Sequence, residues 1–401
     1  MGKFLIIDDS ALMRRVISDI IKTNSEQCEV LDIAQDGLEG FDKLVAHPGY
    51  YDLIILDINM PRMNGLELLE ALHKNHMHEN VVVVSTVAKE GTKETIKALE
   101  LGALDFLTKP ENFYEVKSDS FKNNLLNLIS ACTANQVNRK VLASPASTSR
   151  APVRPGSTLS GHSPAAQQAA LTLADRAREK KAAEAAQEPT RPVDVSSVMK
   201  NFPSSKRNKV KLVAIASSTG GPKSLHEVIP FLPGNLDAGV LLVQHMPKGF
   251  TASLAQRLDE LSKIKVSEAK DGELIEKGHV YIAPGGRHMK AVKEGANYRI
   301  SLNDDPPIDA LRPCANVMYD SLRDLNYDEI TCVVLTGMGA DGTEGIRHLS
   351  EAHKNIYVIS QDEATCVVYG MPRAVAKAGL SNEVQPLQKI AESIVKNVGV
   401  S

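Results

Sequence analysis

Ser218 lies in the turn of KLVAIASSTGGPKSL (211–225), His245 in VLLVQHMPKGF (240–250) and Asp341 in TGMGADGTEG (336–345). Each of them closes or follows an apolar run. A serine hydroxyl attacks a carbonyl at neutral pH only when a base takes its proton; an imidazole titrates in the right range, and a carboxylate can fix its tautomer. A helix starting just past Ser218 would aim backbone N–H groups at a developing oxyanion, and the glycines would let a carbonyl approach closely. Each residue also has a plainer use: Ser218 as a helix cap, His245 as a hydrogen-bonded strand-end residue, Asp341 as half of an Asp-Gly turn. His226, His279 and His288 compete for the role of base, and Asp362 and Glu363 for that of orienting acid. The SSTGG turn could instead cradle a phosphate, making a non-catalytic nucleotide- or phosphate-binding module. Against that, no lysine stands at Walker spacing, and no acid ends a second strand to hold a ribose.

A second constellation precedes it. Asp8 and Asp9 follow FLII, Asp57 follows LIIL, Ser85 follows VVVV and Lys109 follows DFLT. Carboxylates drawn together repel unless a cation sits among them, and a hard cation such as Mg²⁺ accepts carboxylate oxygens and water. Such a site suits phosphoryl transfer, with Asp57 as nucleophile, Asp8 and Asp9 helping to hold the metal, and Ser85 and Lys109 sensing the phosphoryl oxygens. The plainer alternative is a solvated group of strand-end acids beside a capping serine.

Both constellations need strands to carry them. FLII (4–7), VLDIA (30–34), LIIL (53–56), VVVV (81–84) and DFLT (105–108) read as five strands, with helices at 10–23, 37–46, 64–75, 91–101 and 111–132. Later, 211–216, 240–245, 279–284, 331–336 and 355–360 read as strands, with helices at 222–230, 250–261, 312–324, 343–351 and 371–378. Strands alternating with helices predict two α/β domains, each an open, doubly wound parallel sheet. In such sheets functional groups gather beyond the carboxyl ends of the strands.

The domain ranges expected are 1–125 and 210–398, joined by a flexible linker over 136–209 that is rich in Ala, Ser and Pro. The linker carries 13 Lys and Arg against 5 Asp and Glu, a surplus that leaves −11 on the rest of a chain whose net charge is −3. Within it, residues 165–187 have high helix propensity but no apolar stripe, so any helix there would be solvated. With 401 residues, 43% of them hydrophobic and 24% charged, the chain can bury two cores and is not disordered as a whole. The overall charge gives no pull toward nucleic acid or anionic membrane, and no basic helix-turn-helix is present. No stretch reaches membrane-span length, MGKFLIIDDS lacks a signal-peptide pattern, and Gly2 lacks the Ser or Thr at position 6 that myristoylation requires. Five scattered cysteines without C-x-x-C predict a reduced, cytoplasmic protein.

IIDDSALMRR, LDINMPRMNG, VVVVST and DFLTKP resemble the signature segments of response-regulator receiver domains. The resemblance implies a flavodoxin-like fold, phosphorylation of Asp57 by a sensor histidine kinase with Mg²⁺ bound, and Phe106 at the aromatic switch position. Asn64 stands where that family often has Asp. IASSTGGPKSL, QHMPKGFTASLAQRL, GHVYIAPGGRHM, LTGMGADG and ATCVVYGMPRAV resemble the chemotaxis protein-glutamate methylesterase family. That resemblance implies a Rossmann-like esterase domain with Ser218 as nucleophile, His245 as base, Asp341 as orienting acid and the backbone N–H of Met338 at the oxyanion. It further implies hydrolysis of γ-glutamyl methyl esters on cytoplasmic chemoreceptor helices, with deamidation of receptor glutamines in many members and no metal at this site. Three departures stand out: Ala340 where asparagine is frequent, a DDPPIDALRPCANV segment only loosely following D-G-P-P…R-P-S-V-D, and a long linker.

Overall fold

A computed structural model describes residues 2–24, 28–85, 89–110, 121–130, 209–352 and 355–401. Residues 136–208 of the expected linker, including its helix over 165–187, and the ends of the expected helix 111–132 lie outside the described residues.

The first sheet has five parallel strands, β1 (Gly2–Ile7), β2 (Cys28–Ala34), β3 (Leu53–Asp57), β4 (Val81–Ser85) and β5 (Asp105–Thr108), in the order β2-β1-β3-β4-β5. All five expected strands are present. β3 and β4 are buried along their whole length, as strands covered by helices on both faces must be. Helices α1 (Ala11–Asn24), α2 (Gly37–Ala46), α3 (Gly65–Lys74) and α4 (Lys89–Glu100) alternate with the strands, and a fifth, α5, occupies 121–130. Asn64 opens α3 with a capping box: its side chain accepts from Glu67 N–H while the Glu67 carboxylate accepts from Asn64 N–H. That is a structural use for the position where Asp is frequent.

The second sheet has seven parallel strands in the order β14-β13-β12-β6-β7-β9-β8. They are β6 (Lys211–Ser217), β7 (Gly239–Gln244), β8 (Lys265–Glu268), β9 (His279–Ile282), β12 (Glu329–Val334), β13 (Ile356–Gln361) and β14 (Glu383–Gln385). Five of these match the expectation; β8 and β14 are additions at the two edges. β10 (His288–Glu294) and β11 (Asn297–Asn303) form a separate antiparallel hairpin. The helices are α6 (Gly221–Val228), α7 (Phe250–Leu261), α8 (Ala315–Asp320), α9 (Thr343–Ala352), α10 (Met371–Lys377) and α11 (Leu387–Val398). Expected helix 312–324 is thus shorter than its apolar pattern suggested.

The chain builds outward from β6 in both directions, so the strand order reverses between β6 and β12. In open α/β sheets the crevice beyond the carboxyl ends at such a reversal is where ligands bind. Ser218 follows β6, His245 follows β7 and Asp341 lies after β12. Apolar side chains on both faces of β6, β7 and β12 are almost wholly buried, each such Leu or Ile worth about 1.5–3 kcal/mol. The polar residues at the strand ends therefore sit on a stiff base. No helix among the described residues is long and apolar enough to cross a membrane.

Candidate active site

Of Ser218, His245 and Asp341, Asp341 has the most side-chain hydrogen bonds among the described residues. Its Oδ2 accepts from His245 Nε2 at 2.8 Å and from Ala315 N–H at 2.6 Å. Its Oδ1 accepts from Asn316 N–H at 2.9 Å, Gly342 N–H at 2.9 Å and the Cys314 thiol at 3.2 Å. Burial alone would raise its pKa, but the His245 hydrogen bond and charge, then the Ala315 and Asn316 N–H groups, pull it down to about 2. The carboxylate stays ionised and holds His245 with its proton on Nε2, leaving Nδ1 as the basic nitrogen. Burial pushes the Cys314 thiol up to about 12, and the Asp341 charge adds to that, so it remains a donor.

Ser218 is held from both sides. Its N–H donates to Thr336 O at 3.0 Å, and its carbonyl accepts from Gly221 N–H at 2.7 Å and Gln244 Nε2 at 3.0 Å. The serine does not cap α6: the N-cap is Gly220, in a left-handed conformation (φ 74°), with no side-chain cap bond. A Cβ at Gly337 would fall 2.8 Å from Ser218 Cβ, so only glycine lets the β12 turn approach Ser218 this closely. Ser218, His245 and Met338 border one cavity of about 190 Å³. No hydrogen bond joins the Ser218 hydroxyl to His245 here; catalytic contacts of this kind commonly tighten only around substrate.

The competing residues are engaged elsewhere. His226 Nδ1 lies 2.7 Å from Pro222 O within α6, His279 Nε2 lies 2.8 Å from Ser267 Oγ, and His288 Nε2 lies 3.2 Å from Pro306 O. Asp362 closes a local turn, accepting from Thr365 N–H and Oγ1. Among the candidates, His245 and Asp341 form a pair.

In the first sheet Asp8 and Asp57 are buried and Asp9 is exposed, with one oxygen of each lying within 4.8 Å of the others. Lys109 Nζ stands 2.6 Å from Asp57 Oδ2 and 3.3 Å from Asp8 Oδ2. Both oxygens are buried yet make no aligned hydrogen bond. Burial raises Asp57 to about 6 against the pull of Lys109, and Asp8 adds to the rise. This is an electron-rich pocket short of positive charge. The Ser85 hydroxyl lies 2.6 Å from Thr95 Oγ1 and 3.1 Å from Gly91 O.

The cavity over Ser218 is roofed by the first half of the chain, through Asp105, Phe106, Asn124 and Asn127. Phe106 stacks on Phe250, the first residue of α7. The Asp105 carboxyl is enclosed, accepting from Phe106 and Gly220 N–H and from the Thr219 side chain; burial pushes it up to about 7. Glu100 pairs with Arg257 and lies 3.5 Å from His226 Nε2, and Thr92 Oγ1 is 3.0 Å from Ser253 Oγ. Sequence reasoning missed Gln244, Cys314, Asp105 and Glu100, whose residue types announce no chemistry on their own.

A family model described as CheB methylesterase matches residues 213–394, and one described as response regulator receiver domain matches residues 4–119. A protein-glutamate methylesterase/protein-glutamine glutaminase of Desulfotalea psychrophila is 38% identical over 99% of this chain and 98% of its own length. The Bacillus subtilis protein of the same name is 36% identical over 99% of each chain. The crystal structure of the Thermotoga maritima CheB methylesterase catalytic domain is 42% identical, covering 47% of this chain and 98% of that one, with a TM-score of 0.45. With both domains matched in order and relatives aligned end to end, the chain belongs to the protein-glutamate methylesterase/protein-glutamine glutaminase family of response regulators.

Proposed function

We propose that the protein is a phosphorylation-activated serine esterase that converts glutamyl methyl esters on chemoreceptors to glutamate and methanol, and deamidates receptor glutamines, in chemotactic adaptation. The observation that carries this is the Asp341–His245 hydrogen bond, with His245 and Ser218 facing one cavity at the carboxyl ends of adjacent strands.

In the reaction, His245 Nδ1 takes the proton as Ser218 Oγ attacks the γ-carbonyl. The Met338 backbone N–H and those at the start of α6 are the donors for the oxyanion. The proton passes from His245 to the leaving methoxide, or to the leaving amine when the substrate is glutamine. Water, deprotonated by His245, then cleaves the acyl-enzyme, and Ser218 recovers its proton. Asp341 keeps its negative charge throughout and stabilises the imidazolium.

The receiver domain implies the Mg²⁺ site usual for response regulators, and the two buried oxygens without aligned donors at Asp8 and Asp57 fit a cation. Asp8, Asp9 and Asp57 would hold it, and it would neutralise charge on a phosphoryl group. Asp57 accepts the phosphoryl group from a chemotaxis histidine kinase, and Lys109 pairs with the added charge. Ser85 turns toward the new oxygens and Phe106 repacks, loosening the Phe106–Phe250 and Asp105–Thr219 contacts so that a receptor helix, about 10–12 Å across, reaches Ser218.

Release of labelled methanol from methylated receptor membranes, compared between wild type and Ser218→Ala, tests the assignment. Equal rates would end it.

A further inference from the structure

Strands β6 and β7 share their last ladder bond between His245 N–H and Ser217 O, at 3.1 Å. Beyond that rung the strands part, and the next two carbonyls, of Ser218 and His245, belong to the nucleophile and the base. One side chain bridges them. Gln244, 1% exposed, donates from Nε2 to Ser218 O at 3.0 Å and to His245 O at 3.1 Å, while its Oε1 accepts from Ser217 Oγ at 2.7 Å.

We propose that Gln244 is a positioning residue that clamps the nucleophile turn to the base turn, setting the relative placement of Ser218 and His245; this rests on the esterase reading above. The amide orientation is fixed by the chemistry. Flipping it would set Oε1 against two carbonyl oxygens, with no hydrogen between them, and leave Ser218 O with only its Gly221 N–H bond. The start of α6 closes on the same group, since a Cβ at Gly221 would lie 2.0 Å from Oε1. Ser217, Ser218, Gly221 and His245 are therefore all referred to one carboxamide. A misplacement of about 1 Å at a reacting group costs on the order of 100-fold in rate, and no other side chain bonds to both turns among the described residues.

A purely structural glutamine would lower stability when replaced and leave chemistry per folded molecule unchanged. A positioning glutamine would lower kcat with KM nearly constant. The full-length protein, activated with a small phosphodonor and Mg²⁺, is assayed on methylated receptor membranes as wild type, Gln244→Met, Gln244→Glu and Ser218→Ala, with folding followed by circular dichroism. Gln244→Met keeps the shape and removes the donors. It should lose about 10–100-fold in kcat with KM within about threefold, and a fluorophosphonate should label Ser218 more slowly by a similar factor. Gln244→Glu adds a pH signature. Protonated, its carboxyl can donate to one carbonyl; ionised, it donates to neither. Its activity relative to wild type should fall at least about tenfold between pH 6 and 8.5.

A kcat and a labelling rate of Gln244→Met within threefold of wild type overturn the proposal. Should either variant fail to fold, Ser217→Ala removes the donor to Oε1 and should cost about 3–10-fold in kcat; no change there overturns the proposal equally. A Ser218→Ala protein as active as wild type would instead sink the esterase reading itself, so the two failures are distinguishable.

Discussion

Phe106 of the receiver lies on Phe250 of the esterase domain with ring centroids 4.5 Å apart and planes 26° apart. Phe250 is fully buried and opens α7, two residues beyond Lys248 of the His245 loop. Phe106 is thus packed directly onto an element adjoining the loop of His245. Aromatic pairs contribute about 0.5–1.5 kcal/mol beyond the area they bury. Phe106→Ala should weaken docking by about that much and raise the unphosphorylated rate on receptor membranes about 3–10-fold, with the fully phosphorylated rate unchanged. Methanol release with and without phosphodonor checks this; an unphosphorylated rate equal to wild type would show the stack does not hold the domains together.

A charged contact lies on the same face. Glu100 meets Arg257 and His226; burial opposes its charge, but His226 and then Arg257 outweigh that and leave its pKa lowered. Arg257 is 38% exposed, so solvent and salt screen the pair and its contribution is about 0.2–1 kcal/mol. Glu100→Lys should raise the unphosphorylated rate about 2–5-fold, and adding Arg257→Glu should return it toward wild type. If the double variant is more active than the single one, Glu100 and Arg257 do not act as a pair.

The strands that carry the two sites were legible because β3, β4, β6, β7 and β12 are apolar runs ending abruptly in polar residues. β8 (KVSE) and β14 (EVQ) were not, since edge strands of three or four half-exposed residues carry no run of that kind. Ser218, His245 and Asp341 could be nominated by chemical type, but their competitors could be dismissed only by contacts. His279, for example, packs tilted against Tyr281 with centroids 3.9 Å apart and is pushed down to about 4, chiefly by burial. Gln244 and Cys314 were invisible for the opposite reason. An amide and a thiol matter here through what they hold in place, which sequence spacing does not encode.

Asp57 supplies a separate test of the switch. Asp57→Asn should abolish phosphate incorporation from a small phosphodonor and leave esterase activity at its unphosphorylated level; chelating divalent cations from the wild type should do the same. Lys109→Ala removes the cation 2.6 Å from Asp57, so the activated rate should fall even where phosphate is still incorporated. Phosphate incorporation in Asp57→Asn equal to wild type would place the acceptor elsewhere.

The carboxylate cradle around Asp341 makes a prediction in acid. An unfolded aspartate titrates near 3.8, whereas Asp341 in the folded chain is held at about 2. Because the folded pKa is the lower one, the stability it contributes is present above pH 3.8 and is lost as pH falls through about 2. The gap corresponds to about 2 kcal/mol. Asp341→Asn cannot titrate, and its NH2 group must replace either the oxygen that accepts from Ala315 N–H or the one that accepts from Asn316 and Gly342 N–H, so it should be less stable at every pH. The difference in denaturant-unfolding free energy between the two proteins should therefore narrow by about 2 kcal/mol between pH 5 and pH 2. Cys314→Ala removes one donor from the same carboxylate and should shrink the wild-type advantage at pH 5 by about 0.5–1.5 kcal/mol. Parallel curves for wild type and Asp341→Asn over that range would mean that the carboxylate is not stabilised as its hydrogen bonds require.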